Sequence, residues 1–464
     1  MNIHRGCVYI FIYLILLCGN ISTFSATIDV PADRPTIQSG IDAAKDGDTV
    51  LVADGIYRGE GNVNIDFRGK RITVKSQNGA KATIIDCGRK AETRGFTFQN
   101  KETNDSVLDG FTIRNGVHEL GGGIYCNNAS PTIKNCVIAW NTAAKNDRGT
   151  GRGGGIYCFN SDAKIIDSTI SNNSAESAYG GGVYFDGNTI IDDVILRETS
   201  FKPSLLNCTI SDNTGSGVYI QSDARAEIRD SKILHNSWRG IICTFFSRGG
   251  SLITNCEIAQ NTGGGVEVSE YSILKITDSI IRQNTAKSGG GISCSPSANV
   301  VVSECIIDQN IATRWGGGIG VSGLKWGNVE INRCTITRNS ASERGGGVYA
   351  FIEGSRFTLS DSIVWGNSSN TTHHEFSGIG GKIVITSCDI RDGLDGIDRE
   401  PDEWFIYEDN IDEDPLFVDA DRGNYRLKEN SPAAAMGAHS IFETLTSVSS
   451  IGKQLAMWGE LKRN

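Results

Sequence analysis

The stretch Gly121-Gly122-Gly123-Ile124-Tyr125-Cys126 constrains this chain more than any other, because close relatives of it return throughout the sequence. Aligned on the third glycine, the copies fall at Gly123, Gly155, Gly182, Gly217, Gly240, Gly265, Gly291, Gly318 and Gly347, eight intervals over 224 residues with a mean of 28. A period of that size belongs to stacked supersecondary units, each of which buries its apolar positions only against its neighbours.

The contents of each copy decide the kind of unit. The residue after the glycine is always β-branched: Ile124, Ile156, Val183, Val218, Ile241, Val266, Ile292, Ile319 and Val348. Two residues on stand Cys126, Cys158, Phe185, Ile220, Cys243, Val268, Cys294, Val321 and Ala350, so inward positions alternate with an outward one, the period of a strand. A second frame follows in each coil, Cys or Ser, any residue, Ile or Val, two residues, then Asn, as in Cys136-Val137-Ile138-Ala139-Trp140-Asn141. It recurs down to Ser362 and Asn367, always with five residues from Cys/Ser to Asn, whereas the step from Asn to the next glycine varies from four to fourteen. Fixed strands joined by variable loops, with no helical pattern between them, stack as parallel coils about 4.8 Å apart. The expected fold is all-β: a single-stranded parallel β-helix, right-handed by the crossover rule, with a short N-terminal capping helix. A column of asparagines at one bend is expected to form a hydrogen-bonded ladder.

Around this array, residues 1–25 read as a signal peptide: an apolar run from Cys7 to Gly19 behind Arg5, then small residues before Ala26, too short for a comfortable membrane span. The expectation is an exported protein, secreted or periplasmic, with no integral membrane segment after cleavage. The mature chain then carries 43 Lys+Arg against 54 Asp+Glu, about −11 overall, which argues against a nucleic-acid partner. Eleven cysteines remain after residue 25. They share columns with serine, phenylalanine, valine and alanine, so they read as packing residues, with at most a disulfide or two between column neighbours such as Cys126 and Cys158 or Cys305 and Cys334. No CxxC or His-x-x-x-His spacing marks a metal site.

Residues 26–100 read as an N-terminal cap and first coils. Ile37, Ile41 and Ala44 fall on one helical face with Gly47 placed to end the helix, an amphipathic plug for the open end of a solenoid. Residues 101–395 are the repeats. Residues 396–437 read as an acidic loop and C-terminal cap, with a final strand in 412–437, and 438–464 as a tail without recognisable role. From Asp389 to Asp421 lie fourteen acidic residues, with Asp389, Asp392, Asp395 and Asp398 spaced by three. Calcium is conceivable there, but the spacing matches no EF-hand or nonapeptide pattern, so a solvated acidic loop and no cofactor is the expectation.

Pro31-Ala32-Asp33-Arg34-Pro35-Thr36-Ile37-Gln38, the segment Asp46 to Tyr57, Leu108-Asp109-Gly110-Phe111-Thr112-Ile113, and Asp414-Pro415-Leu416-Phe417-Val418-Asp419 together resemble secreted right-handed β-helix proteins of the pectin-lyase-like superfamily. The Gly-Gly-x-Ile and Ile-x-x-Asn repeats also resemble those of polymorphic outer-membrane adhesins. The resemblance implies the fold. It implies no single function, because that fold hosts lyases, esterases, hydrolases, epimerases and adhesins. The Gln-Asp-Thr and Asp-Phe-Ile-Phe-Gly segments of pectin esterases are absent, as are the Gly-His-Gly of polygalacturonases, the Asp-Pro-His-Asp of alginate epimerases and the Trp-Ile-Asp-His of pectate lyases. Asp192-Asp193 falls in the long insertion between Gly182 and Cys208 and reads as part of a surface loop. His118, His235, His373, His374 and His439 show no obvious Ser, Cys or Asp partner and read as solvated.

One outward column rises above the repeat: Tyr125, Tyr157, Tyr184 and Tyr219, then Ile242, Glu267, Ser293, Gly320 and Tyr349. Four consecutive tyrosines are expected to form an exposed aromatic strip of the kind sugar rings pack on. Arg152, Tyr179, Arg239 and Arg314-Trp315 lie in the loops leading into the same strand, placed to rim the strip and meet acidic sugars. Such a ladder also stabilises a stack without any ligand, by about 0.2–1 kcal/mol per pair. The reading is therefore a binder of polysaccharide or a cell-surface glycan, with Tyr125, Tyr157, Tyr184, Tyr219, Arg152, Arg239 and Glu267 as ligand-binding residues. The alternatives are a carbohydrate-active enzyme, with Arg152 or Arg239 as base and Tyr157 or Tyr184 as acid, and a structural spacer.

Overall fold

The computed structural model describes residues 25–145, 149–177, 179–187, 201–247, 249–325, 327–370, 374–399 and 404–439. Residues 1–24 of the segment expected to be a signal peptide, Asp192-Asp193, His373 and residues 440–464 lie outside them.

Each coil contributes one strand to each of three walls. Ile124–Asn127, Thr132–Lys134 and Val137–Ala139 make one such coil, and a fourth short strand, Thr142–Ala143, lies in the turn back to the next. Stacking these coils produces one sheet of fifteen strands and two of thirteen, with strands of three and four paired along the turn. All the pairs in these sheets are parallel and join residues one coil apart. The outward column runs in register from Tyr125 through Tyr157, Tyr184, Tyr219, Ile242, Glu267, Ser293 and Gly320 to Tyr349, so the period read from the glycines is the period of the coils.

The inward columns form one continuous core. Ile124, Ile156, Val183, Val218, Ile241 and Val266 are fully buried, and the cysteines of the two columns are buried free thiols. The interchange of cysteine and serine has a hydrogen-bonding cause as well as a packing one. Cys136 Sγ donates to the Lys134 carbonyl at 3.1 Å, and Ser168 Oγ in the next coil donates to the Ile166 carbonyl at 2.7 Å. The serine oxygen then accepts the backbone N–H of Cys136. The column accepts either residue because either group satisfies the carbonyl two residues back.

The asparagine column forms the expected ladder. In the rung from Asn213, Nδ2 donates to Asn236 Oδ1 at 3.0 Å and to the Ile170 carbonyl at 3.1 Å, while the Asn213 backbone N–H shares the same Asn236 oxygen. The pattern holds from Asn141 to Asn367, so a buried polar column is satisfied along its length. Gly116 N–H caps one end on Asn141 Oδ1. Glu375 caps the other, accepting Asn367 Nδ2 at 2.6 Å and Gly366 N–H at 2.8 Å. The ladder also dictates the third glycine of the repeat. A Cβ on Gly265 would lie 2.5 Å from the Gly291 carbonyl oxygen and 3.0 Å from Asn284 Nδ2, closer than a methyl group can approach.

The helix Ile37–Ala43 covers the N-terminal end, with Thr36 and Ser39 closing a reciprocal capping box. Ile37, Ile41 and Ala44 are buried as expected. The helix ends earlier than its sequence suggests: Ala44, in extended conformation, is the C-cap, and Gly47 serves the following turn. The C-terminal segment differs more. Phe417–Asp419 and Asn424–Leu427 pair as an antiparallel hairpin that lies on the flank of the solenoid instead of closing its end. Tyr425 donates to Asp308 at 2.6 Å, and Ala438 N–H bonds Thr335 Oγ1, so buried Ile306 and Tyr425 hold the hairpin to strands several coils back.

The acidic run is not uniformly solvated. Asp389 is fully buried, and burial together with Asp412, Glu413 and Asp414 pushes its carboxyl up to about 7. Asp398 bonds Ser377 and faces Arg344 at 3.5 Å. Among the described residues no group of three or more His, Cys, Asp or Glu side chains is arranged to hold a metal ion.

Candidate binding cleft beside a buried tyrosine stack

The outward tyrosines stack as the register demands. Ring centroids are 5.9 Å apart from Tyr125 to Tyr157, 5.4 Å from Tyr157 to Tyr184 and 4.8 Å from Tyr184 to Tyr219. The expected open strip is absent, however: Tyr157, Tyr184 and Tyr219 are 4%, 1% and 4% exposed. The first glycine of the repeat supplies part of the reason. Gly180, at φ +63°, brings the loop down onto the strand so closely that a Cβ there would lie 3.0 Å from Tyr184 Cβ. Only a residue without a side chain fits that left-handed turn against the tyrosine. Tyr179 then packs edge-on against Tyr219 at 5.4 Å and carries the exposed surface itself.

The rim arginines are committed within this cover. Arg152 stands 5.5 Å above the Tyr184 ring and faces Asp186 at 3.6 Å, and Tyr157 donates its hydroxyl to the same carboxylate at 3.0 Å. Gln221 Nε2 completes the set at 3.0 Å. Asp186 is 6% exposed, and burial raises its carboxyl despite these donors. Arg239 forms an ion pair with Glu267, and Arg314 lies 3.7 Å over Trp315, itself stacked on Tyr349 at 5.4 Å.

The acid and base roles expected of this set therefore do not hold. Burial pulls Arg152 down, but Tyr184 and Asp186 outweigh it, so the guanidinium is held above its ordinary value and is no base. Arg239 is lowered by burial and opposed by its Glu267 partner. Burial drives the Tyr157 and Tyr184 phenols far above their ordinary range, which leaves both protonated, Tyr157 as the donor to Asp186. Asp186, the centre of the network, escaped the sequence reading, although it occupies the next outward position after Tyr184 on the strand Val183–Asp186.

The stack opens only at its N-terminal end, where Tyr125 is half-buried beside a cleft of about 460 Å³. Asp66, Glu92, Arg94, His118, Glu119 and Tyr125 are among its walls. Arg94 lies 4.5 Å over the Tyr125 ring. His118 Nε2 meets Glu92 at 3.2 Å, so this histidine is not the solvated side chain the sequence suggested. Burial, then Arg94, lowers its pKa against the opposing Glu92 and keeps the imidazole neutral near pH 7. Asn64 and Asp66 also wall a second cleft of about 760 Å³ that reaches Gln38 and Arg58. The signal for Arg94 lay in the register: Phe96 pairs with Ile124, so Arg94 stands where the next coil has Gly122, and only an outward course over Tyr125 is open to it.

Residues 154–323 match a family model described as "Right handed beta helix region". The chain is a right-handed parallel β-helix. No curated protein matches its sequence. Among solved structures it is similar to the A-module of mannuronan C-5 epimerase AlgE4 from Azotobacter vinelandii, at 13% identity and a TM-score of 0.48, covering 84% of this chain and 97% of that one. It is also similar to pectate lyase Pel9A, at 14% identity and 0.37, covering 85% and 84%. A third is PfbA, a surface adhesin of Streptococcus pneumoniae, at 12% and 0.37, covering 81% and 85%. No residue role passes from these β-helices to this one. Among the described residues no helix is long and apolar enough to cross a membrane.

Proposed function

We propose that this β-helix is an exported glycan-binding protein that holds a polysaccharide or cell-surface glycan in the cleft at the open end of the tyrosine stack. The observation that carries the reading is Tyr125: one face packs on Tyr157, and the residue is the only one of the four stacked tyrosines left half-exposed, at the wall of a cleft. A ring fixed by Tyr157 and Arg94, with its remaining surface on the cleft, meets a sugar at little entropic cost. Asn64, Thr97 and Gln99 add amide and hydroxyl groups on the same walls, suited to sugar hydroxyls. Buried Tyr157, Tyr184 and Tyr219 stack in line behind that ring, while half-buried Arg152 is held by Asp186, and Arg239 and Glu267 pair with each other several coils away.

A carbohydrate-active enzyme is the second reading, favoured by His118. Its imidazole is neutral, oriented by Glu92 and on the cleft wall near Tyr125, a titratable group of the kind proton transfer uses. A glycan and polysaccharide array probed with the full chain tests both. Binding lost in Tyr125→Ala, without any rise in ultraviolet absorbance or reducing ends, supports the binder. Product formation abolished in His118→Ala transfers the case to the enzyme. Absence of both outcomes leaves a structural spacer.

A further inference from the structure

The outer face of the tyrosine sheet carries a row of arginines, and all but one have a carboxylate. Arg152 faces Asp186, Arg239 pairs with Glu267, Arg314 with Glu343 at 3.1 Å, and Arg344 with Asp398 at 3.5 Å. Arg94 is only 6% exposed, more deeply buried than any of these, yet no carboxylate among the described residues lies within ion-pair distance of it. Its recorded contact is the face of Tyr125. A guanidinium presents five N–H donors in a fixed plane, and an aromatic face satisfies none of them. Because Arg94 lines the cleft, N–H groups that no carboxylate claims are placed to meet a ligand there.

The acidic residues sharing the cleft do not meet that need. Asp66 accepts the Arg68 N–H at 2.6 Å and Asn100 Nδ2 at 2.9 Å. Glu92 turns to His118, and its side chain is 78% exposed, where solvent screens it. Glu119 has a partner of its own. Burial pulls Arg94 down to about 10, so it stays cationic at neutral pH. The histidine beside it is neutral and does not compete for an anion.

We infer that Arg94 is the seat of an oxyanion carried on the bound sugar chain, a carboxylate or a sulfate ester, so that the cleft selects acidic over neutral glycans. The inference deepens the glycan-binding reading and rests on it. Stacking of Arg94 on Tyr125 fixes the guanidinium plane, and the sugar ring that meets Tyr125 then places its charged substituent against the N–H groups in charge-assisted hydrogen bonds.

The test is calorimetric titration of the full chain with three probes of matched length: a neutral gluco-oligosaccharide, an oligoglucuronate, and a sulfated gluco-oligosaccharide. Sodium sulfate alone is the fourth titrant. The expected result is preference for a charged probe by about tenfold, falling with added salt, and loss of that preference in Arg94→Gln. Which charged probe binds more tightly distinguishes carboxylate from sulfate ester. Arg94→Lys keeps a charge without the planar fork and is expected to retain part of the preference. A purely structural Arg94 would lower the melting temperature in Arg94→Gln while leaving the ratio of acidic to neutral affinity unchanged, which overturns the inference. Neutral and acidic probes binding equally, both dependent on Tyr125, overturn the oxyanion seat and leave the glycan reading intact. Sulfate bound at Arg94 with no oligosaccharide binding keeps the oxyanion seat and removes the glycan reading. No binding of any titrant overturns both.

Discussion

Tyr184 and Tyr125 belong to one column of one sheet, are separated by a single coil, and do opposite things. Tyr184 is sealed between two stacked rings, under a glycine loop and an arginine held by Asp186, so all its surface is already used. Tyr125 stacks on Tyr157, lies under Arg94 at 4.5 Å and turns its remaining surface to a cleft, and no carboxylate among the described residues pairs with that arginine. The arginines differ with the tyrosines: a carboxylate closes the charge of Arg152 over the interior of the stack, and none among the described residues closes that of Arg94 where the stack ends at the cleft.

Substitutions at the two ends break this comparison most directly. Tyr184→Ala empties a fully buried position and is expected to cost about 4 kcal/mol of stability in urea unfolding. A cost near zero would show the stack to be loosely packed. A position remote from both ends sharpens it next. Burial raises Glu375 to about 7 against the three donor groups it accepts from, the Gly366 and Asn367 backbone N–H groups and Asn367 Nδ2, from an ordinary value of 4.5. A carboxyl raised in the folded state favours folding fully below its unfolded value and loses that contribution as pH rises through about 7. Glu375 is therefore expected to contribute a fall in stability of about 3 kcal/mol between about pH 4.5 and 7.5, and Glu375→Gln is expected to remove that part of the fall while leaving the part that Asp389 adds in the same window. A parallel profile in the variant would locate the titration elsewhere. Asp186→Asn, which keeps the shape but uncouples Arg152, is expected to cost about 2 kcal/mol and to leave glycan binding unchanged. Tyr125→Ala, losing one stacked pair at the open end, is expected to cost only about 1 kcal/mol while removing binding.

The solenoid was legible because its causes are local and repeated. The β-branched residue after each glycine, the five-residue step to asparagine and the length of the period together give the three walls, the register and the ladder. The tyrosine column was legible as a column, but its exposure was not. Whether an outward residue meets solvent depends on the loop above it, and the covering came from Gly180 and its equivalents, which in sequence look like ordinary turn glycines. Asp186 and Glu267 were the counter-ions that committed Arg152 and Arg239, and only register across coils brings them together. Arg94 sits in a coil without the full glycine signature, so the repeat alignment began one coil too late to show it. The hairpin at Phe417–Leu427 was not legible in the final strand expected within 412–437, since its anchor at Asp308 is 117 residues away in the chain.

The most direct test of the account is the affinity of Tyr125→Ala and Tyr184→Phe for whichever glycan the array identifies, measured side by side on folded protein. Tyr184→Phe keeps the buried ring and removes only its hydroxyl. The account predicts that Tyr125→Ala abolishes binding and Tyr184→Phe leaves it at the wild-type value. Full affinity in Tyr125→Ala, or loss of affinity in Tyr184→Phe, would contradict the placement of the site at the open end of the stack.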